Sequence, residues 1–164
     1  MDIGTEAVTT TGGIPVATKA PPAVKIKRKK GALLPSYESP GAAAMDLRAF
    51  IDGELIILPM GRIRIPTGLF MEIPPGFEAQ VRSRSGLADR HGLIVLNAPG
   101  TIDSDYRGEL QVILVNLGSE SYTVRNGDRI AQMLISPIVR AEISEADDLS
   151  QTERGMGGFG STGI

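Results

Sequence analysis

"FEAQVRS" (residues 77–83) places Phe77, Ala79 and Val81 on one side of an extended chain and Glu78, Gln80 and Arg82 on the other. Successive side chains of a strand point to opposite faces, so this run reads as a strand with one face in a core and one toward water. "GRIRIP" (61–66) alternates in the same way. "ELQVILVNLG" (109–118) is apolar on both faces in its middle, which predicts a strand buried on both sides. Asp52-Gly53, Pro74-Pro75-Gly76 and Asn126-Gly127 supply turns between such runs. No segment keeps a 3.6-residue apolar period over twelve positions. The chain therefore reads as an all-β domain of many short strands: a sandwich, jelly roll or barrel. One short helix is expected in "RSGLADRHG" (84–92), with Ser85 as N-cap and Gly92 just past its end.

At 164 residues there is room for one domain with short extensions. The net charge of −2 provides no global field for nucleic acid or an anionic membrane, so any phosphate site must be built locally. There is no cysteine, which excludes disulfides, thiol nucleophiles and thiolate metal sites. The single histidine, His91, excludes two-histidine zinc sites, and no G-x-S-x-G elbow is present for a serine triad. An enzyme of this composition would use a carboxylate as its base. No run of 18 apolar residues spans a membrane. Residues 1–24, rich in Thr, Ala, Pro and Gly, lack an apolar signal core and read as a disordered leader of a cytoplasmic protein. "KIKRKKG" (25–31) could be a nucleic-acid patch, but without aromatics nearby it reads better as a solvated strand near a sheet edge.

Two motif matches fail on context. Gly155-x-Gly157-x-x-Gly160 has the dinucleotide spacing, yet no helix can follow it, because the chain ends four residues later. "DSDYRGE" (103–109) begins like a calcium loop, but its twelfth position is Leu114. There is no Walker lysine.

Five polar segments remain that are too rich in functional groups for plain turns: "GAAAMDLRA" (41–49), "VRSRSGLA" (81–88), "NAPGTIDSDYRGEL" (97–110), "GDRIAQM" (127–133) and "RGMGGFGSTG" (154–163). Each has a plain alternative. Asp103 could close an Asx turn, Tyr106 could sit at a core edge, and Gln132 could be a surface strand residue. Arg84-Ser85-Gly86 could be an ordinary capped turn, although exposed N–H groups at a helix start also suit an anion. The closing segment, five glycines around one aromatic, could be a frayed tail or a flap ordered by a ligand.

In this order and spacing the five segments resemble the motifs of the trimeric dUTPases, from about Val24 to the last residue. One departure is Ser83, where many members have proline. The resemblance implies a jelly-roll-like distorted β-barrel (25–148) with the short helix after Arg-Ser-Gly, and a mobile glycine-rich arm (149–164) that closes over the site. It implies Mg2+-dependent hydrolysis of dUTP to dUMP and pyrophosphate, which limits uracil in DNA and supplies dUMP for thymidylate synthesis. Asp103 is then the general base that aims a water at the α-phosphorus. Arg84, Ser85 and Gly86 hold phosphates, and Gln132 donates to the α-phosphate. Asn97, Thr101 and Ile102 lie near the uracil, Tyr106 lies against the deoxyribose, and Gln111 touches the substrate. In the arm, Arg154 pairs with the γ-phosphate, Phe159 stacks over uracil, and Gly160, Ser161 and Thr162 complete the closure. Asp46 holds the waters of a magnesium ion carried by the phosphates. The partners implied are dUTP and dUMP, and a homotrimer whose subunits share sites, with no nucleic acid and no membrane. A dCTP deaminase of the same fold, with Glu109 near the base, and a non-catalytic binding subunit are the competing readings.

Overall fold

A computed structural model of the chain describes residues 21–159 and residue 161. Its elements are β1 (Lys25–Arg28), β2 (Met45–Arg48), β3 (Glu54–Ile57), β4 (Arg62–Glu72), β5 (Phe77–Arg82), α1 (Ser85–His91), β6 (Leu93–Val95), β7 (Gly100–Ile102), β8 (Leu110–Asn116), β9 (Tyr122–Arg125) and β10 (Arg129–Pro137). Two four-stranded sheets, β1-β4-β8-β6 and β2-β10-β5-β7, are accompanied by the pair β3-β9. Every pairing is antiparallel. This is the jelly-roll-like all-β fold expected.

Alternation decides which face each strand buries. Ala79 and Val81 of β5 are buried while Arg82 is exposed. They meet Leu47, Ala131 and Met133 of their own sheet, and Ile65, Leu69, Val112 and Leu114 of the other, in one apolar cluster. Each of the larger buried chains contributes about 1.5–3 kcal/mol by leaving water. β8 departs from expectation over its first half: Leu110, Val112 and Leu114 are buried, but Gln111 and Ile113 are only half-buried. Burial on both faces is confined to Leu114, Val115 and Asn116. The outward side of Gln111 and Ile113 lines a cleft.

β1 is an edge strand, as its lysines suggested. Lys25 pairs with Glu72 and Lys29 with Glu109, each at 2.8 Å, so this basic run is partly neutralised within the fold. Asn116, fully buried, donates to the carbonyls of Ile57 and Glu120 and accepts from Gly118 N. A satisfied buried amide of this kind pins the corner between β8 and β3.

The helix begins one residue earlier than expected. Arg84 is the cap, extended at φ −88 and ψ 126, and no side chain caps the helix; Ser85 is its first residue. Leu87 N and Ala88 N both donate to Arg84 O, which sets the start there. Gly92 ends it as expected, in the left-handed region at φ 63. A side chain there would also meet Gly118 N at 2.5 Å, so conformation and space both require glycine. After Pro137 there is no helix or strand among the described residues. Ile138 N still donates to Gly76 O.

Candidate active site

Strand pairing brings three of the polar segments together. Gln132 in β10 stands opposite Asp46 of β2 on one side and Arg82 of β5 on the other. Arg84 follows two residues after Arg82, so the Arg-Ser-Gly turn hangs over the same sheet end. The resulting cleft of about 240 Å3 is lined by Asp46, Arg84, Ser85, Gly86, Arg129 and Gln132, among others.

Asp46 organises this cleft. It is buried at 8% exposure, with Oδ1 accepting from Arg84 Nε and Oδ2 from Arg129 Nη1, both at 3.1 Å. Arg84 Nη1 also donates to Arg129 O, and Gln132 Nε2 donates to Ser83 O at 2.8 Å. Glu38 pairs with Arg129 at 3.3 Å and with Arg48 at 3.7 Å. Three guanidinium groups thus face two carboxylates, a surplus of one positive charge. Arg84 uses two of its five N–H groups on the protein, and Gln132 one of two, so both retain donors for an anion. Glu38 and Arg129 were missed in the sequence; Arg129 lies inside the quoted "GDRIAQM" and becomes legible once β10 is paired with β2.

A second cleft, of about 230 Å3, lies at the outer face of β8. Thr101, Ile102, Asp103, Tyr106 and Gln111 line it, together with Arg64 and Glu109. Asp103 closes its turn through main chain, Tyr106 N donating to Asp103 O at 3.2 Å. The turn is made by the backbone; Asp103 is exposed and lines this cleft, and with Ser104 and Asp105 it also lines the neighbouring one. Tyr106 Oη donates to Glu109 O at 3.2 Å. Its ring lies across Gly108, where an added Cβ would stand 2.5 Å from Tyr106 Cζ. Glu109, 15% exposed in its side chain, accepts from Gly68 N on Oε1 at 2.9 Å and from Lys29 Nζ on Oε2 at 2.8 Å. Both of its oxygens are engaged by the fold, which leaves it poorly placed as the base of a deaminase. Arg64 and the buttressing role of Glu109 carried no sequence signal, because they depend on contacts between distant strands; Gly108 depends on how the Tyr106 ring folds back over its own turn.

The two clefts share no lining residue. Asn97 lines neither; its amide nitrogen lies 3.0 Å from where a Cβ on Gly100 would be. β7, which follows it, pairs with β5, so the 97–106 segment is a loop, a short strand and a turn. The described residues of the arm line neither cleft. Arg154 Nε donates to Gly157 O at 2.8 Å, Ser161 N donates to Gly158 O, and Phe159 is fully exposed. Gly160 and Thr162 lie outside the described residues.

No cluster of three or more acidic, histidine or cysteine side chains that could cage a metal occurs among the described residues. The one buried carboxylate among the described residues, that of Asp46, already bonded to two arginines, fits an ion that keeps its own waters and arrives on phosphates. No helix among the described residues is long and apolar enough to cross a membrane.

The dUTPase family model matches residues 30–163. A deoxyuridine 5'-triphosphate nucleotidohydrolase from Treponema denticola is 59% identical over 138 residues, 84% of this chain and 96% of that protein. The protein of that name from Rhizobium etli is 54% identical over 143 residues, 86% of this chain and 92% of its own. Among solved structures, the Staphylococcus bacteriophage 80alpha dUTPase with dUpNHpp superposes with a TM-score of 0.76 at 27% identity, covering 87% of this chain and 99% of that one.

Proposed function

This chain belongs to the dUTPase family, and from that premise we propose that it hydrolyses dUTP to dUMP and pyrophosphate, with Asp103 as general base. The observation that carries the reading is the division of labour between the clefts. One offers guanidinium groups, an amide and a helix start; the other offers an exposed carboxylate beside a tyrosine ring. Neither half suffices alone for a nucleoside triphosphate. We therefore assign the active enzyme to a homotrimer in which the Asp103 cleft of one subunit faces the Arg84 cleft of another. The arm reaches this composite site from a subunit as well, its exposed Leu149, Met156 and Phe159 providing the apolar surface that assembly would cover.

In this arrangement the uracil and sugar lie in the Asp103 cleft near Thr101, Ile102, Gln111 and the Asn97 loop, and Tyr106 closes off the 2′ position. The phosphates lie against Arg84, Ser85, Gly86 and Gln132. Asp103 accepts a proton from a water whose oxygen bonds to the α-phosphorus, while the bond from that phosphorus to the bridging oxygen of the β-phosphate breaks. Charge gathers on the phosphoryl oxygens, where the donors of Arg84 and Gln132 already stand. Magnesium, when bound, would neutralise part of the phosphate charge, with Asp46 holding its waters. Arg154 takes the γ-phosphate, and Phe159, Gly160, Ser161 and Thr162 complete the closure over the base and phosphates. Closure by the arm excludes bulk water.

Pyrophosphate release from dUTP, dTTP, dCTP and UTP, with and without magnesium, tests this directly. The expected result is turnover of dUTP with magnesium and little of the others. Asp103→Asn should lower kcat by at least about a hundredfold, the scale of general-base catalysis, while a non-hydrolysable dUTP analogue still binds in calorimetry. A variant with near-parent turnover would remove Asp103 from the base role.

A further inference from the structure

We propose that Ser83 is a positioning residue for the phosphate-binding half of the site, acting through its side-chain hydroxyl; the proposal rests on the reading of Arg84 and Gln132 given above. Ser83 joins the end of β5 to the start of α1 and lines neither cleft. Two bonds converge on it from different sheets. Its Oγ accepts from Val95 N at 2.9 Å, and its carbonyl accepts from Gln132 Nε2 at 2.8 Å.

Val95 belongs to β6, the edge strand of the first sheet, paired with β8 at Leu114. Residues of an antiparallel pair turn their N–H groups alternately toward and away from the partner strand. Leu96 N bonds to Ile113 O across that pair, whereas Val95 N faces outward to Ser83. Val95 is 2% exposed, so its amide needs an acceptor from the protein, and the Ser83 hydroxyl provides it. The same bond fixes the turn just before Arg84 against the other sheet. Arg84 is then held at its far end by Asp46 and Arg129 O, and Gln132 by Ser83 O. The hydroxyl thereby sets the origin from which the Arg84 guanidinium, the Gln132 amide and the first turn of α1 reach toward phosphate. A proline at this position would restrict φ and keep the carbonyl, but it offers nothing to Val95 N.

The test compares the full-length parent with Ser83→Ala and Ser83→Thr. Three quantities are read: KM for dUTP by pyrophosphate release, the inhibition constant of deoxyuridine, which carries no phosphate, and the unfolding midpoint. Ser83→Ala should raise KM by about tenfold, the scale of one orphaned buried amide, and leave deoxyuridine inhibition within about twofold. Ser83→Thr, which keeps the hydroxyl, should restore KM. A folded alanine variant with the parent's KM overturns the proposal. So does an equal loss of nucleoside and triphosphate binding, or a folded threonine variant that behaves like alanine. Should Ser83→Ala not fold, Ser83→Cys serves in its place, a near-isostere with a weaker acceptor; the parent's KM in that variant overturns the proposal too. A parent that releases no pyrophosphate from dUTP sinks the functional reading instead, a distinct result.

Discussion

Tyr106 depends on the residue two places after it. Gly108 is not in the left-handed region, so conformation alone does not demand glycine there. Space does: the Tyr106 ring occupies the volume a methyl group would need, with Cζ at 2.5 Å from the added carbon. Gly108→Ala should therefore lift the ring from its bond to Glu109 O and open the 2′ side of the sugar. Hydrogen-bonding or steric rejection at one atom is worth orders of magnitude in selectivity, so the ratio of kcat/KM for dUTP over UTP should fall by about tenfold or more. Thermal stability should change little, since Tyr106 is about half exposed. A selectivity ratio that survives the substitution would separate Tyr106 from sugar discrimination. In the sequence Gly108 was one glycine among 20; only the fold distinguishes it.

At the scale of elements, strands were legible wherever alternation was clean, as in β5, because period-two burial is a local property. The start of α1 was misplaced by one residue because the cap is set by main-chain bonds to Arg84 O and not by the serine hydroxyl. The outer face of β8 was misjudged because an apolar Ile113 looks the same in sequence whether it meets a core or a cleft. The buttress beneath the Asp103 turn was illegible for another reason: it joins Lys29, just past the end of β1, with Gly68 of a bulge in β4 and Glu109. That bulge, with Gly68 at φ 70, turns its amide toward the Glu109 carboxylate. The two halves of the buttress should differ in strength. Glu109→Ala orphans the Gly68 amide and should cost about 1–3 kcal/mol in urea unfolding. Lys29→Met removes only a half-exposed ion pair and should cost under about 1 kcal/mol. Equal losses from the two variants would mean that the amide bond contributes nothing.

For the whole molecule, the decisive geometry is that the chain carries two clefts lined by different residues. The five sequence segments pointed to one chemistry without saying which of them meet in a single chain; residues 46, 84 and 132 line one cleft, while 101–103, 106 and 111 line another although β7 belongs to the same sheet. If catalysis needs one half from each of two subunits, two inactive variants should rescue each other. Asp103→Asn spoils only the carboxylate half, and Arg84→Ala only the phosphate half. In a ring of three with head-to-tail contacts, a site works when its Asp103 comes from an Arg84→Ala chain and its Arg84 from an Asp103→Asn neighbour. Random mixing of equal amounts makes that pairing at about a quarter of the sites. Co-expressed or co-refolded subunits should therefore regain roughly a quarter of parental turnover, where each variant alone has almost none. Adding the pure variants together without subunit exchange should restore nothing. Activity absent from properly mixed assemblies would place both halves of a working site within one chain, and the composite arrangement would have to be abandoned.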